Sequence, residues 1–470
     1  MMNHPAMDSF LNQISSPMCE RSQSPCSDTA SDSASDTTVA PGNFISTNSS
    51  FSQPDDHDAQ PDSCEVIGSD LWDSPEDDDP DSEIRKAARK FFDVIDWQAL
   101  ASIASSHRGG MHCSYTDAGK FSCGQFNMVR RLDFTDGVRW VARIRLPAEA
   151  TPAPLARYDS RRAFEIEVAS MKFLKSKSKI PVPEVFVYSH ECSNQIGAPY
   201  MLIEYINGTT AADLSFLQGS EPAMFGTPEQ DQKFRQQMAE IQAQMLTFKF
   251  PKIGSLYYDE GTGSFYIGPD IETGKGPWIS SSDYYRDLAE HLVTDALLNC
   301  PKFSTENNSF VAPTLLNHLM NIYCQGSSGP YTLTNRDFGP HNILVDNDFN
   351  IVGVIDFDGV FAAPTEVAAQ YPTLSNMSLE PPGVEVTNPY SLQRIELEKP
   401  QLARYKEWLM EYEAQLNNGN TTISSLLGSR GAIVYAGFER CSQYSSYSSE
   451  NWFTSALFML KEYATTQRSE

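Results

Sequence analysis

The sequence predicts an α+β fold whose first half is rich in strands and whose second half is helical. Three observations predict it. Short alternating apolar and polar segments crowd residues 113–206, and an Asp136-Gly137 turn joins two of them. From residue 228 onward the apolar residues recur at helical spacing. Strands come first and helices later within one chain, which indicates α+β rather than an alternating βαβ order. At 470 residues the chain has room for two or three domains, or for one two-lobed domain with a tail.

Residues 1–80 are dominated by Ser, Asp, Pro and Thr, a composition too poor in apolar area to offset chain entropy, so they are expected to be a disordered acidic tail. Its Ser-Pro pairs at Ser16, Ser24 and Ser74 suit phosphorylation, and equally an inert solvating segment. Order is expected from Asp81-Ser82, a helix N-cap ahead of an apolar face formed by Ile84, Ala88, Phe91, Phe92, Ile95 and Leu100. Strands follow at 113–121, 126–134 and 138–146, then a helix at about 160–176 with Phe164, Val168, Met171 and Leu174 on one side. Residues 180–189 and 198–206 complete a unit of five strands and one helix.

Thr227-Pro228-Glu229-Gln230 supplies an N-cap, an N1 proline and a capping-box glutamine. The helix it opens carries Phe234, Met238, Ile241, Met245 and Phe248 as a core stripe. A hairpin is expected over 253–269, and helices at 283–299, 311–324, 400–417 and 450–467. Leu402, Tyr405, Leu409, Tyr412 and Leu416 form the buried face of the third of these. The domain boundaries drawn from this pass are 1–80 for the tail, 81–205 for an N-terminal lobe and 206–470 for a C-terminal lobe.

Of the formal charge of −26, residues 1–83 account for −17, and neither part has a basic stripe. Nucleic acid and anionic membrane surfaces are therefore not expected partners. The nine scattered cysteines lack a CxxC pair, as expected for reduced thiols, and the eight histidines show no metal spacing. With no signal pattern and no apolar run of bilayer length, a soluble cytoplasmic protein is expected.

The run from Tyr331 to Asp358 carries the chemistry. Asp337 precedes Asn342 by five residues, and Asp356 follows a predicted strand–turn–strand. Phosphoryl transfer from a metal–nucleotide asks for this order, with one carboxylate to meet an acceptor hydroxyl and an amide oxygen and second carboxylate to hold Mg²⁺. Each residue alone reads equally well as turn or strand-end chemistry. All three together, with hydrophobic spacers, do not.

This run is similar to the catalytic and metal-binding segments of the aminoglycoside phosphotransferase family, in the protein-kinase-like superfamily, and particularly to its uncharacterised fungal members. The similarity extends over about 85–465 and includes residues 121–147, 167–186, 198–209 and 252–269. It implies a two-lobed kinase fold, a small antiparallel β lobe with one helix and a larger helical lobe, with ATP and Mg²⁺ as cofactors. Asp337 would be the catalytic base, and Asn342 and Asp356 the metal ligands. Ser122, Cys123 and Gly124 would form a turn covering the phosphates, although no full glycine motif surrounds them. Arg143 takes the place of a strand lysine, with Glu167 as its partner and Glu165 as a rival. The backbone of Glu204, Tyr205 and Ile206 would read adenine.

The loop also departs from the family's usual H-x-D-x-H-P-G-N. Asn335 replaces the first histidine, and Gly339 and His341 are exchanged. Asn335 can brace the loop, and His341 can pack there or meet a phosphate. Asp358 suits a supporting role, either at the metal or in the loop. The expected activity is phosphorylation of a small-molecule hydroxyl, with a nucleotide-binding pseudokinase or regulatory scaffold as the alternative. A protein kinase is disfavoured because no A-P-E-type segment follows Asp356. Asp283, Asp287, Glu380, Glu385, Glu396 and Glu398 lie in regions expected to line the acceptor pocket, where they would suit a cationic acceptor, or else form solvated surface. Oligomeric state has no signal.

Overall fold

The computed structural model describes residues 83–468, apart from 116–120, 125, 151–158, 222, 300–309, 325–327, 375–376, 378 and 443–445. The acidic tail and the Asp81-Ser82 cap lie outside the described residues. Two helices come first, α1 (Glu83–Val94) and α2 (Trp97–His107). One helix was expected here. The chain breaks at Ile95-Asp96 because the Asp96 carboxylate accepts the Ala99 N–H and caps a second helix.

The strands β1 (Cys113–Tyr115), β2 (Ser122–Cys123), β3 (Asn127–Phe134), β4 (Arg139–Arg145), β5 (Val185–Ser189) and β6 (Tyr200–Glu204) build one antiparallel sheet. Its order is β1-β3-β4-β6-β5, with β2 paired to β3 off this path. On one side α1 and α2 bury Ala88, Phe92 and Leu100 against Met128, Leu132 and Trp140. Arg130 fastens that contact, since its buried guanidinium lies 4.1 Å from the ring centre of Tyr115 and 4.8 Å from that of Trp97.

Helix α3 (Ser160–Lys177) follows β4 in sequence and buries all four predicted face residues in the central core. Burying each of these side chains is worth roughly 1.5–3 kcal/mol. Beyond β7 (Thr209–Thr210) and α4 (Ala211–Leu217) runs α5 (Pro228–Leu246). Both arms of its capping box form, at Thr227 and Gln230. Strands β8 (Lys249–Phe250), β9 (Gly254–Asp259), β10 (Ser264–Ile267), β11 (Tyr331–Asn335) and β14 (Val360–Ala363) make a second sheet in the order β10-β9-β14-β11-β8. Strand β12 (Ile343–Val345) pairs with β7 on one side and with β13 (Ile351–Val354) on the other in a third.

The remaining helices are α6 (Ser281–Asn299), α7 (Ala312–Tyr323), α8 (Thr365–Ala368), α9 (Pro389–Leu416), α10 (Thr422–Ser425), α11 (Arg430–Ser442) and α12 (Ser446–Gln467). Helices α6, α7, α11 and α12 share a core that includes Tyr285, Leu316 and Phe438. Helix α9 begins eleven residues before the expected 400, with Pro400 inside it. Tyr405 and Leu409 are buried as expected, whereas Leu416 at the helix end is exposed.

Candidate active site

The loops leaving β11 and β13 converge, with side chains of β4 and α3, on one group. Asn335, the last residue of β11, is buried and joins two of these loops. Its Oδ1 accepts the Asp337 N–H at 3.1 Å, and its Nδ2 donates to the Asp356 carbonyl at 3.3 Å. The expected bracing role of Asn335 is therefore what its contacts do. Asn342 is also buried, and its Nδ2 donates to the Asp337 carbonyl at 3.0 Å and to Asp337 Oδ2 at 2.9 Å. The Asn342 carbonyl accepts the Ile355 N–H at 2.9 Å, which ties this loop to the strand end carrying Asp356.

Asp337 itself is half exposed. Its other carboxylate oxygen lies 3.0 Å from His341 Nε2. Burial pushes this carboxyl up, but the hydrogen bond and charge of His341 and the Asn342 amide outweigh it and leave it below the ordinary range. Reciprocally, the hydrogen bond to Asp337 raises the imidazole above 6.5 against partial burial. His341 thus meets Asp337, a contact the sequence did not suggest.

Asp356 takes a left-handed backbone, φ +64°. A residue other than glycine held there costs on the order of 1–3 kcal/mol, and such strain clusters at functional sites. Arg143 Nη2 sits 2.9 Å from Asp356 Oδ1 and 2.9 Å from Glu167 Oε1, so one guanidinium bridges β4, α3 and the Asp356 loop. Burial alone would lower the Arg143 pKa, yet Glu167, Asp356 and Asp358 reverse that and keep it charged. Burial raises the Glu167 carboxyl, against the pull of Arg143. The rival Glu165 pairs instead with Arg161 at the surface. Asp358 stands 3.9 Å from Arg145, and burial together with Asp356 pushes it up to about 6.

The other predicted nucleotide contacts lie on the β2–β3 side of the first sheet and at and beyond the end of β6. Ser122 and Cys123 pair with Val129 and Met128 in β2–β3, and the Gly124 N–H donates to the Asn127 carbonyl at 2.9 Å. The expected open turn is thus a strand end whose Gly124 donor is already bonded; Gly119 and Gln125 lie outside the described residues. The Glu204 N–H donates to Glu184 O, and its carboxylate holds Lys175 at 2.9 Å. Glu204 and Tyr205 line a separate open hollow with Arg139 and Trp140. Ile206 packs beside Gly353 of β13.

A cavity of about 490 Å³ opens beside Asp337 and Asp358. Its walls include Phe126, Arg145, Glu272, Arg336, Glu439 and Trp452. Glu439, exposed toward the cavity, is pushed up to about 7 by desolvation among the walls and by Glu272. The acids expected to line the acceptor pocket face elsewhere. Asp283 pairs with Arg286, Asp287 accepts the Trp278 indole N–H, Glu380 and Glu398 hold Arg394, Glu396 pairs with Lys399, and Glu385 is exposed. The 270–310 and 370–400 regions expected to supply the acceptor pocket do contribute lining, at Ile271, Glu272 and Gln370 to Leu374, while the rest gathers from segments remote in the chain.

Among the described residues no cluster of three or more His, Cys, Asp or Glu side chains forms a metal site, and no helix is long and apolar enough to cross a membrane. The oxygen donors of Asn342 and Asp356 are nevertheless the kind a hard divalent cation takes. A cationic guanidinium already sits against Asp356.

A subtelomeric hrmA-associated cluster protein of Aspergillus fumigatus is 34% identical over 169 residues, covering 36% of this chain and 30% of that protein. The mitochondrial altered inheritance of mitochondria protein 9 of Candida tropicalis is 30% identical over 201 residues, covering 41% and 28%. The matches thus span less than a third of these relatives' own length. Among solved structures, the macrolide 2'-phosphotransferase MphH of Brachybacterium faecium aligns at 13% identity and TM-score 0.40, covering 76% of this chain and 97% of that one. ADP-bound aminoglycoside phosphotransferase APH(2'')-Ib aligns at 13% and 0.38, covering 76% and 98%. The assignment rests on the family match, which takes in residues 121–365, just over half of the sequence. By that match, and in agreement with the resemblance seen in its catalytic run, the chain belongs to the phosphotransferase enzyme (APH) family.

Proposed function

We propose that this protein transfers a phosphoryl group from ATP, with Mg²⁺, to a hydroxyl of a small molecule. The observation that carries the reading is the convergence of Asp337, Asn342 and Asp356 through Asn335, beside a cavity able to admit an acceptor. Asp337 is held ionised, and each carboxylate oxygen keeps a further lone pair after bonding His341 or Asn342. It accepts the hydroxyl proton as the acceptor attacks. Asn342 orients this carboxylate through its amide N–H, and its amide oxygen, with Asp356, would hold the metal. A divalent cation held there would supply positive charge to offset what develops on the phosphates during transfer. Arg143 and Arg145 supply positive charge on the β4 side, where Glu167 fixes the first of them.

A nucleotide-binding scaffold is the less favoured reading, since no member of the constellation is displaced from the others. The domain boundaries at 80 and 205 and a cytoplasmic location belong to this reading, and cell fractionation beside a mitochondrial marker tests the location. The chemistry is tested by offering a metabolite panel with γ-labelled ATP to wild type and Asp337→Asn in parallel. Label should pass to an acceptor in wild type alone. Equal transfer by both proteins would remove Asp337 from its role.

A further inference from the structure

Arg336 precedes Asp337 and is held at three points. Its backbone N–H donates to the Gly359 carbonyl at 3.1 Å. Its guanidinium lies 3.6 Å over the Phe361 ring on β14. At the far end, Nη2 approaches Asp270 Oδ1 at 2.8 Å, with Glu272 at 3.7 Å from Nε. The approach to Asp270 is off the hydrogen-bond axis, so the attraction is that of two charges. Asp270 has no solvent exposure, and Arg336 is 16% exposed, so this attraction acts with little screening.

Asp270 is fixed independently of Arg336. Its Oδ2 accepts the Thr273 N–H and hydroxyl at 3.1 and 3.2 Å, and its backbone N–H donates to the Lys275 carbonyl. The neighbouring Ile271 N–H donates to the Ser255 hydroxyl on β9. The loop after β10 is thus a rigid anchor, and Arg336 is the strut from it to the loop bearing Asp337. Glu272 and Arg336 both face the cavity as well.

We infer that Asp270 is a positioning residue, setting the Asp337 carboxylate relative to the cavity through Arg336. This rests on the base role proposed for Asp337. Losing the Asp270 charge leaves Arg336 with only the cavity-facing carboxylates, so the guanidinium turns toward Glu272 and the loop at 335–338 loosens.

The test compares full-length wild type, Asp270→Asn, and Asp270→Asn/Arg336→Met by hydrogen–deuterium exchange, thermal melting and, with the acceptor found in the panel screen, kinetics. In Asp270→Asn, amides 335–338 should exchange at least about tenfold faster while those of β3 and β4 are unchanged. Turnover should fall about 10–100-fold, with AMP-PNP affinity unchanged. The double variant removes both charges of the Asp270–Arg336 pair together, so its melting temperature should return toward wild type while fast loop exchange and slow turnover persist. If the double variant regains loop protection and turnover along with its melting temperature, Asp270 only neutralises a charge and the inference fails. Unchanged loop exchange in Asp270→Asn that still melts cooperatively also overturns it. Exchange is read without ATP, so an inert wild type would count against the proposed reaction and leave the loop result standing.

Discussion

The two sides of the site are organised differently. On the helical side, Asp337 has its backbone N–H held by Asn335, one oxygen by Asn342 and the other by His341. On the sheet side, the Gly124 N–H is spent on the Asn127 carbonyl, and the groups that reach across are Arg143, buried between Glu167 and Asp356, and Arg145, 3.9 Å from Asp358. One side is therefore built from short hydrogen bonds within a few residues. The other is built from a long-range ion pair between residues 213 positions apart. Local bonds fix an angle, while a buried ion pair fixes a distance between elements at a desolvation cost. In the proposed reaction, chemistry at the acceptor hydroxyl would depend on the first, and alignment of the β4 side on the second.

Changes on the two sides should accordingly fail in different ways. The largest effect belongs to Asp337→Asn, which should lower turnover about 10²–10⁴-fold. Its melting temperature should stay near wild type, as calorimetry would record, because the half-exposed carboxylate is not a core group. Next comes Arg143→Met, which strands the buried Glu167 carboxylate. Breaking such a pair costs about 3–5 kcal/mol, measurable by urea unfolding. Adding Glu167→Leu should recover a large part of that loss, and no recovery would mean that Arg143 acts mainly through Asp356.

Asn335→Ala should sit between the two modes, since Asn335 bridges both loops. Leaving its buried partners unpaired costs about 1–3 kcal/mol in stability, and turnover should fall with it. The smallest effect concerns His341. Its folded pKa is raised, so its contribution is complete below 6.5 and is lost as pH rises through the folded value. The Asp337 pKa is depressed, so its share is present above 3.8 and is lost as pH falls through the folded value. The pair is therefore strongest between 3.8 and 6.5. Imidazole NMR should give His341 a pKa above 6.5 that drops in Asp337→Asn, and a value unmoved by that substitution would dissolve the contact.

The same contrast governs what the sequence could reveal. Asp337, Asn342 and Asp356 were legible because a five-residue step and one hairpin bring them together, and local spacing is what a chain displays. The α3 face and the Thr227 capping box were legible for the same reason. The break at Asp96 was missed because an unbroken apolar face ran across it, and the capping carboxylate looked like one more helix-surface acid. Helix α11, not expected at all, combines Gly431 and Gly437 with buried apolar residues on several sides, so no amphipathic stripe marked it. The cavity lining was legible only as two regions of the chain, and its individual side chains were not, for a different reason. Glu272, Arg336, Glu439 and Trp452 meet only after four separate segments pack, and their individual neighbours in sequence are unremarkable.

The central claim is that Asn342 and Asp356 hold a divalent cation for a nucleotide aligned with Asp337, and it can be tested without knowing the acceptor. AMP-PNP binding measured by titration calorimetry, with and without Mg²⁺, addresses it in wild type and in Asp356→Asn. The account predicts that Mg²⁺ tightens binding at least about tenfold in wild type, equivalent to about 1.4 kcal/mol, and has no such effect in the variant. Nucleotide binding that is indifferent to Mg²⁺ in wild type, or equally Mg²⁺-dependent in both proteins, would contradict it.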